Sequence, residues 1–270
     1  MTGILRARIA AFSLHLIAGL IGAGLLAADQ LAADDGMLSD NLRIESAKLG
    51  YALQYRVYVP PGYKNAANLP TLYITDGQWY LSEGELHKEI DEQIKKGAIE
   101  PVIAVFIDNR NPDNLRQNRR NQQFFCVKEY AEFFRHELVP TITKNYRVSD
   151  NRTSRVILGV SFGGLNAGCF GIMAHDVFGG IAMQSPAMHP VPSLQDAYEK
   201  EAKRPIKIFL SAGDENEITR RSQKLKRTLE KKGYPVMFKK NRENHNWRNW
   251  RPMLDDILIY FFKKQHAATR

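Results

Sequence analysis

Short apolar runs alternate with amphipathic stretches along most of this chain. Pro101–Ile107, Arg155–Leu158 and Ile206–Ser211 are nearly continuous in apolar residues, the pattern of strands buried on both faces. Between such runs the apolar positions recur with helical spacing, clearly so from Glu85 to Lys96 and from Tyr130 to Asn145. Strand–helix alternation predicts an α/β fold with a mainly parallel central sheet and helices on both faces. Antiparallel strands are expected at its start, near Ile44 and over Tyr51–Val59. No repeat, low-complexity segment or long linker divides the chain, so residues 34–270 read as a single domain.

The N-terminus has a different pattern. Arg6 and Arg8 precede an apolar stretch from Ile9 to Ala28, broken only by Ser13 and His15, and Asp29, Gln30 and Asp34-Asp35 follow. That is the charged, apolar and cleavage order of a secretory signal peptide over residues 1–33. The expected product starts between Asp29 and Asp34 and is periplasmic or secreted, free of the membrane once cut. The stretch is nearly long enough to span a bilayer, so an uncleaved anchor is the rival reading.

Composition adds a positive excess of nine charges. Arg110, Arg116, Arg119 and Arg120 gather in an Asn-rich loop that ends at Phe124-Phe125. Loops at the carboxyl ends of strands border the cleft in this fold class, so the cluster, Arg110 first, is a candidate for contact with an anionic or polyhydroxylated substrate. A solvated basic loop accounts for it equally. Lys224, Lys226, Arg227, Lys231 and Lys232 read as the wet face of a late helix. The scatter of basic residues does not fit a nucleic-acid surface. No His/Cys spacing suits a metal and no phosphate loop is present, so no cofactor is expected. Cys126 and Cys169 remain. Cys169 is expected as a small buried residue without a bridge, since spacing alone does not bring Cys126 to it.

Gly159-Val160-Ser161-Phe162-Gly163-Gly164 sits between a strand-like run and a helix-like run rich in small residues. Strand, Gly-x-Ser-x-Gly, helix is the context of a nucleophile elbow, whose crowding glycines relieve and whose serine points outward. A hydroxyl needs a base. Of the histidines after Ser161, His175 lies too far along the helix and His266 is in the basic tail. His189 comes before any acid-bearing strand. His245 lies between a strand-like run (Val236–Lys239) and a final helix, where the base-bearing loop belongs. Asp214, Glu215, Asn216 and Glu217 follow Gly213 after the Ile206–Ser211 strand. Glu217 is the preferred acid; the alternatives are Glu215, or Asn216 orienting the imidazole in the acid's place, and a solvated helix start explains the cluster as well.

With these residues in place the chain resembles the esterase D and enterochelin esterase-like family of α/β hydrolases, from about Arg43 to Phe262. Tyr55–Tyr63, Leu72–Gln78, Phe133–Pro140, Phe178–Pro186 and His245–Trp250 carry the resemblance in order. It implies an α/β-hydrolase fold and a serine esterase working through Ser161, His245 and an acid, exported on the reading of the leader as a signal peptide. It implies an oxyanion hole from the Phe162 and Gln78 amides, with Trp79 the neighbouring choice for the second. Trp79, Arg110 and Trp247 would border the substrate, a small-molecule ester of siderophore, feruloyl or simple alkyl type. The sequence departs from the family at Asn216, where an acid is usual, and at Asn121-Gln122. A ligand-binding homologue without catalysis, or an acyltransferase with the same Ser–His pair, are the alternative readings.

Overall fold

The apolar runs pair edge to edge. The computed structural model describes residues 35–214 and 217–264, the side chain of Glu217 excepted. Its main strands are β1 (Met37–Leu38), β2 (Leu42–Ser46), β3 (Tyr51–Val59), β4 (Thr71–Thr75) and β5 (Ile103–Asp108). A hairpin, β6 (Arg110–Asn111) and β7 (Asn114–Asn118), comes next, then β8 (Arg155–Val160), β9 (Gly180–Gln184), β10 (Lys207–Ala212) and β11 (Val236–Lys240). Among the described residues one sheet runs in the order β1-β3-β5-β4-β8-β9-β10-β11, with β2 on β3. From β5 to β11 it is parallel, and β1, β2 and β3 add antiparallel pairs, as the sequence pattern predicts. The Asn-rich segment expected as a loop is instead the antiparallel hairpin β6–β7.

The helices are α1 (Gly77–Ser82), α2 (Leu86–Lys95), α3 (Arg120–Gln123), α4 (Lys128–Phe133), α5 (Val139–Asn145), α6 (Phe162–Met173), α7 (Ser193–Lys200), α8 (Glu217–Lys231), α9 (Trp247–Trp250) and α10 (Leu254–Phe262). A wider π-type stretch at Phe134–Leu138 joins α4 to α5, so the helix read from Tyr130 to Asn145 is continuous. Strand side chains alternate between two cores. Ile103, Val105 and Ile107 face one with Phe134, Phe170 and Leu225; Ala104 and Phe106 face the other with Leu86, Ile90, Leu254 and Leu258. Burying each large apolar side chain contributes roughly 1.5–3 kcal/mol, which is why both sheet faces carry helices.

Two further outcomes bear on the site. Cys126 and Cys169 are bonded, with Cα atoms 5.1 Å apart, contrary to the unpaired Cys169 expected. The bridge forms because the segment after α3 folds back onto the buried side of α6, a proximity no local pattern encodes. The leader over residues 1–33 lies outside the described residues; among those described, no helix is long and apolar enough to cross a membrane.

Candidate active site

Three turns at the carboxyl ends of the parallel strands hold non-glycine residues at positive φ: Asp76 after β4 (58°), Ser161 after β8 (58°) and Ser185 after β9 (43°). Such a conformation costs of order 1–3 kcal/mol at each residue and persists only when its surroundings impose it. At Ser161 the cause is the strand-to-helix turn. A Cβ on Gly159 would stand 2.2 Å from the Gly163 carbonyl oxygen, and one on Gly163 would stand 2.9 Å from Thr75 Oγ1. The backbone is tied on both sides: Ser161 N–H donates to the Gln184 carbonyl at 2.9 Å, and its own carbonyl accepts from Leu165 and Ala187 at 3.0 Å. The side chain is left to meet His245, whose Nε2 lies 2.8 Å from Ser161 Oγ.

His245 is itself oriented. The Trp250 ring packs edge-on against it, with centroids 4.9 Å apart. Trp250 Nε1 in turn donates to Ser185 Oγ at 3.1 Å, and Asn246 caps α9 by accepting from Arg248 N–H at 3.0 Å. Burial, and then the Arg120 cation, hold the imidazole pKa below its usual 6.5. At neutral pH the ring is therefore neutral, and with its proton on Nδ1 it accepts the Ser161 hydroxyl hydrogen bond. Glu215 and Asn216 lie outside the described residues. Glu217 opens α8, but its side chain also lies outside them.

The second turn faces the first across the β4–β8 pairing. The Asp76 carbonyl accepts from Trp79 N–H (2.9 Å) and Tyr80 N–H (3.3 Å), starting α1. The Gln78 and Phe162 amides belong to the first turns of α1 and α6 and have no partner among the described residues. First-turn amides are orphan donors carrying partial positive charge, the equipment for receiving an anionic oxygen. Gly77 serves a different purpose from the close substrate approach usual at such a turn. A Cβ there would stand 2.5 Å from the Phe106 backbone, so it is β5 that requires glycine. The Asp76 side chain is fully buried. Arg120 donates to it twice, Nε to Oδ1 at 2.9 Å and Nη2 to Oδ2 at 2.8 Å, and reaches the Val160 carbonyl at 3.4 Å. Burial raises the Asp76 pKa to about 6 against the pull of Arg120, with Asp108 pushing the same way as burial.

Residues 46–261 match the model of the Esterase family, described as "Putative esterase". The chain belongs to this family. A relative in Bacillus subtilis (strain 168), the "Uncharacterized protein YjcH", is 23% identical over 79% of this chain and 92% of its own length. Among solved structures, a ferulic acid esterase superposes with a TM-score of 0.73 at 21% identity, covering 84% of this chain and 98% of its own. An enterobactin esterase of Shigella flexneri, determined in the presence of enterobactin, also gives 0.73 at 21% identity; it covers 82% of this chain, which spans 58% of that longer protein. These likenesses identify the α/β-hydrolase fold.

Around the serine of this esterase-family chain the walls are aromatic. Phe162 meets Phe125 (centroids 5.1 Å apart) and His189 (5.5 Å). Arg120 lies over Trp79 (5.1 Å) and Phe162 (5.3 Å). Trp247 packs on Tyr80 and Trp250, on the His245 side. Arg110 takes a different partner. It pairs with Asp108 (2.6 Å) and lines a cavity of about 460 Å³ with Gln54, Arg56, Gln78 and His87, a lining that includes neither Ser161 nor His245. The arginine at the site is Arg120, which the sequence offered only as one of four in a basic cluster. Its partner was the missing signal: Asp76 stands in an Asp-Gly turn directly after β4, where its carboxyl is buried against the Arg120 guanidinium.

Proposed function

We propose that this protein is an exported serine carboxylester hydrolase. The observation that carries the reading is the 2.8 Å contact between Ser161 Oγ and His245 Nε2, set beside two orphan first-turn amides. His245 takes the Ser161 proton as Oγ attacks the ester carbonyl, and the oxyanion is received by the Phe162 and Gln78 amides. The imidazolium then protonates the leaving alcohol. Water, activated by the same ring, releases the acid from Ser161. Glu217 is the acid that stabilises the imidazolium in this scheme. Export is supported by the leader pattern of residues 1–33 and by the Cys126–Cys169 bridge, which suits an oxidising compartment. The aromatic wall of Trp79, Phe125 and Phe162, together with the ferulic acid and enterobactin esterases among the structural neighbours, points to esters bearing an aromatic acyl group.

Hydrolysis of 4-nitrophenyl acetate, then of a panel of hydroxycinnamoyl, hydroxybenzoyl and alkyl esters, tests the reading on the purified protein. Turnover that prefers the aryl panel is expected; no turnover of any ester would leave a ligand-binding homologue. Glu217→Gln is expected to lose about 10²–10⁴-fold in kcat, with Glu215→Gln nearly silent. If both are silent and Asn216→Asp raises kcat, the pair works without a carboxylate.

A further inference from the structure

A directional chain of side-chain amides reaches the Asp76–Gln78 turn from the hairpin. Gln78 Nε2 donates to Asn109 Oδ1 at 2.8 Å, and Asn109 Nδ2 donates to Asn118 Oδ1 at 2.8 Å. The Arg120 backbone N–H donates to the same Asn118 oxygen at 2.9 Å. A backbone N–H only donates, so Arg120 dictates which end of the Asn118 amide faces inward. That choice dictates the orientation of Asn109, and Asn109 in turn dictates that of Gln78. The Asn109 carbonyl also accepts from Arg119 N–H at 3.1 Å, closing the neck of the β6–β7 hairpin. Asn109 is only 1% exposed, so its bonds are made away from competing water.

The segment from Asn109 to Arg120 thus grips the turn at two points. The Arg120 guanidinium holds Asp76 and the amide chain holds Gln78, with Gly77 between them. We propose that Asn109 and Asn118 are positioning residues that tether the Gln78 side chain and, through it, hold the Gln78 backbone N–H where a developing oxyanion needs it, so that the hairpin is part of the esterase machinery. This rests on the assignment of Gln78 as an oxyanion donor. A donor already in place costs no reorganisation as charge develops, and removal of one such donor costs about 10²–10³-fold in kcat; a loosened one should cost less.

The direction of the chain supplies a test with two isosteric changes. Asn118 uses only its oxygen, to accept twice, and a carboxylate does the same, so Asn118→Asp should keep kcat within about 3-fold of the parent. Asn109 must accept from Gln78 and donate to Asn118. Asn109→Asp sets a carboxylate oxygen against the Asn118 oxygen and should lower kcat roughly 10- to 50-fold with KM nearly unchanged. Affinity for a trifluoromethyl ketone, which mimics the tetrahedral adduct, should fall by the same factor as kcat/KM. Asn118→Ala, on the exposed hairpin, should share the Asn109→Asp defect without lowering Tm, which covers the case in which Asn109→Asp does not fold. Equal kcat in Asn118→Ala and Asn118→Asp, or a defect confined to KM or Tm, overturns the proposal. Ser161→Ala measured alongside separates the two readings: turnover close to the parent's there overturns the serine mechanism, whereas a Ser161→Ala lowered by several orders of magnitude with a fully active Asn109→Asp overturns only the brace.

Discussion

The turns after β4 and β8 are built alike and used differently. Both place a non-glycine residue at φ 58° directly before a helix, and both depend on a glycine whose Cβ would strike backbone, 2.5 Å from Phe106 at Gly77 and 2.2 Å from Gly163 at Gly159. At β8 the strained residue turns its side chain outward and meets His245. At β4 it turns inward, where the carboxylate is buried and held by Arg120. The shared φ is followed by a different ψ, 32° at Asp76 and −115° at Ser161, so one turn offers a reactive group and the other an anchor. The difference lies in that rotation and in what the tertiary structure brings to each side chain, an imidazole or a guanidinium.

The comparison breaks most completely at the outward side chain. Ser161→Ala and His245→Ala should each lower kcat by about 10⁴-fold or more, and the double variant should be little worse than either, because the two act as a unit. Steady-state rates with 4-nitrophenyl acetate check this, and independent, additive losses would contradict it.

Next in size is the support behind α6. The Cys126–Cys169 bridge closes a span of 43 residues, and its loss should cost about 4 kcal/mol on chain-entropy grounds. Thermal unfolding of Cys126→Ser/Cys169→Ser, and of the parent with reductant, measures it. An unchanged Tm would mean that packing alone holds the Arg120 segment onto α6.

The inward side chain should separate activity from stability. Asp76 titrates at about 6 in the fold, above its ordinary 3.8, so its ionisation opposes folding. The stability contributed by the neutral acid is full below 3.8 and is lost as pH rises through about 6. Asp76→Asn is permanently neutral. The parent should lose Tm relative to it as pH rises from about 4 to 7. The kcat of Asp76→Asn at about pH 8 should fall roughly 10-fold, because Arg120 loses a charged bidentate partner beside the proposed oxyanion donors. A variant that loses Tm and keeps kcat would make the pair purely structural.

The smallest effect is on titration. His245 is held below its usual 6.5 by burial and by Arg120, so the acid limb of kcat/KM should lie below 6.5, with the His245-dependent rate rising as pH rises through it. Arg120→Met should move that limb upward; a limb that stays fixed would leave burial as the whole cause of the depression.

The elbow was legible because its chemistry is local: glycine, serine and glycine between a strand and a helix are read from neighbours in the chain. The sheet and its helix layers were legible for the same reason, through hydrophobic period. Arg120 was not, because its importance comes from Asp76, 44 positions earlier, and the basic cluster gives no sign of which arginine turns inward. Arg110, the sequence's choice, is neutralised by Asp108, its near neighbour on the strand end. The disulfide and the Gln78–Asn109–Asn118 chain were hidden likewise, since asparagines in a polar segment read as solvated turn residues until a hairpin aligns their amides.

The sequence by itself determined the strand–helix order, the strained serine and the histidine loop, because each follows from residue types a few positions apart. Only the tertiary structure decided which cation, which amides and which cysteine stand behind them. Those choices depend on strands β4, β5 and β8 lying side by side, and in a parallel sheet neighbours in space are separated by whole crossover segments of chain.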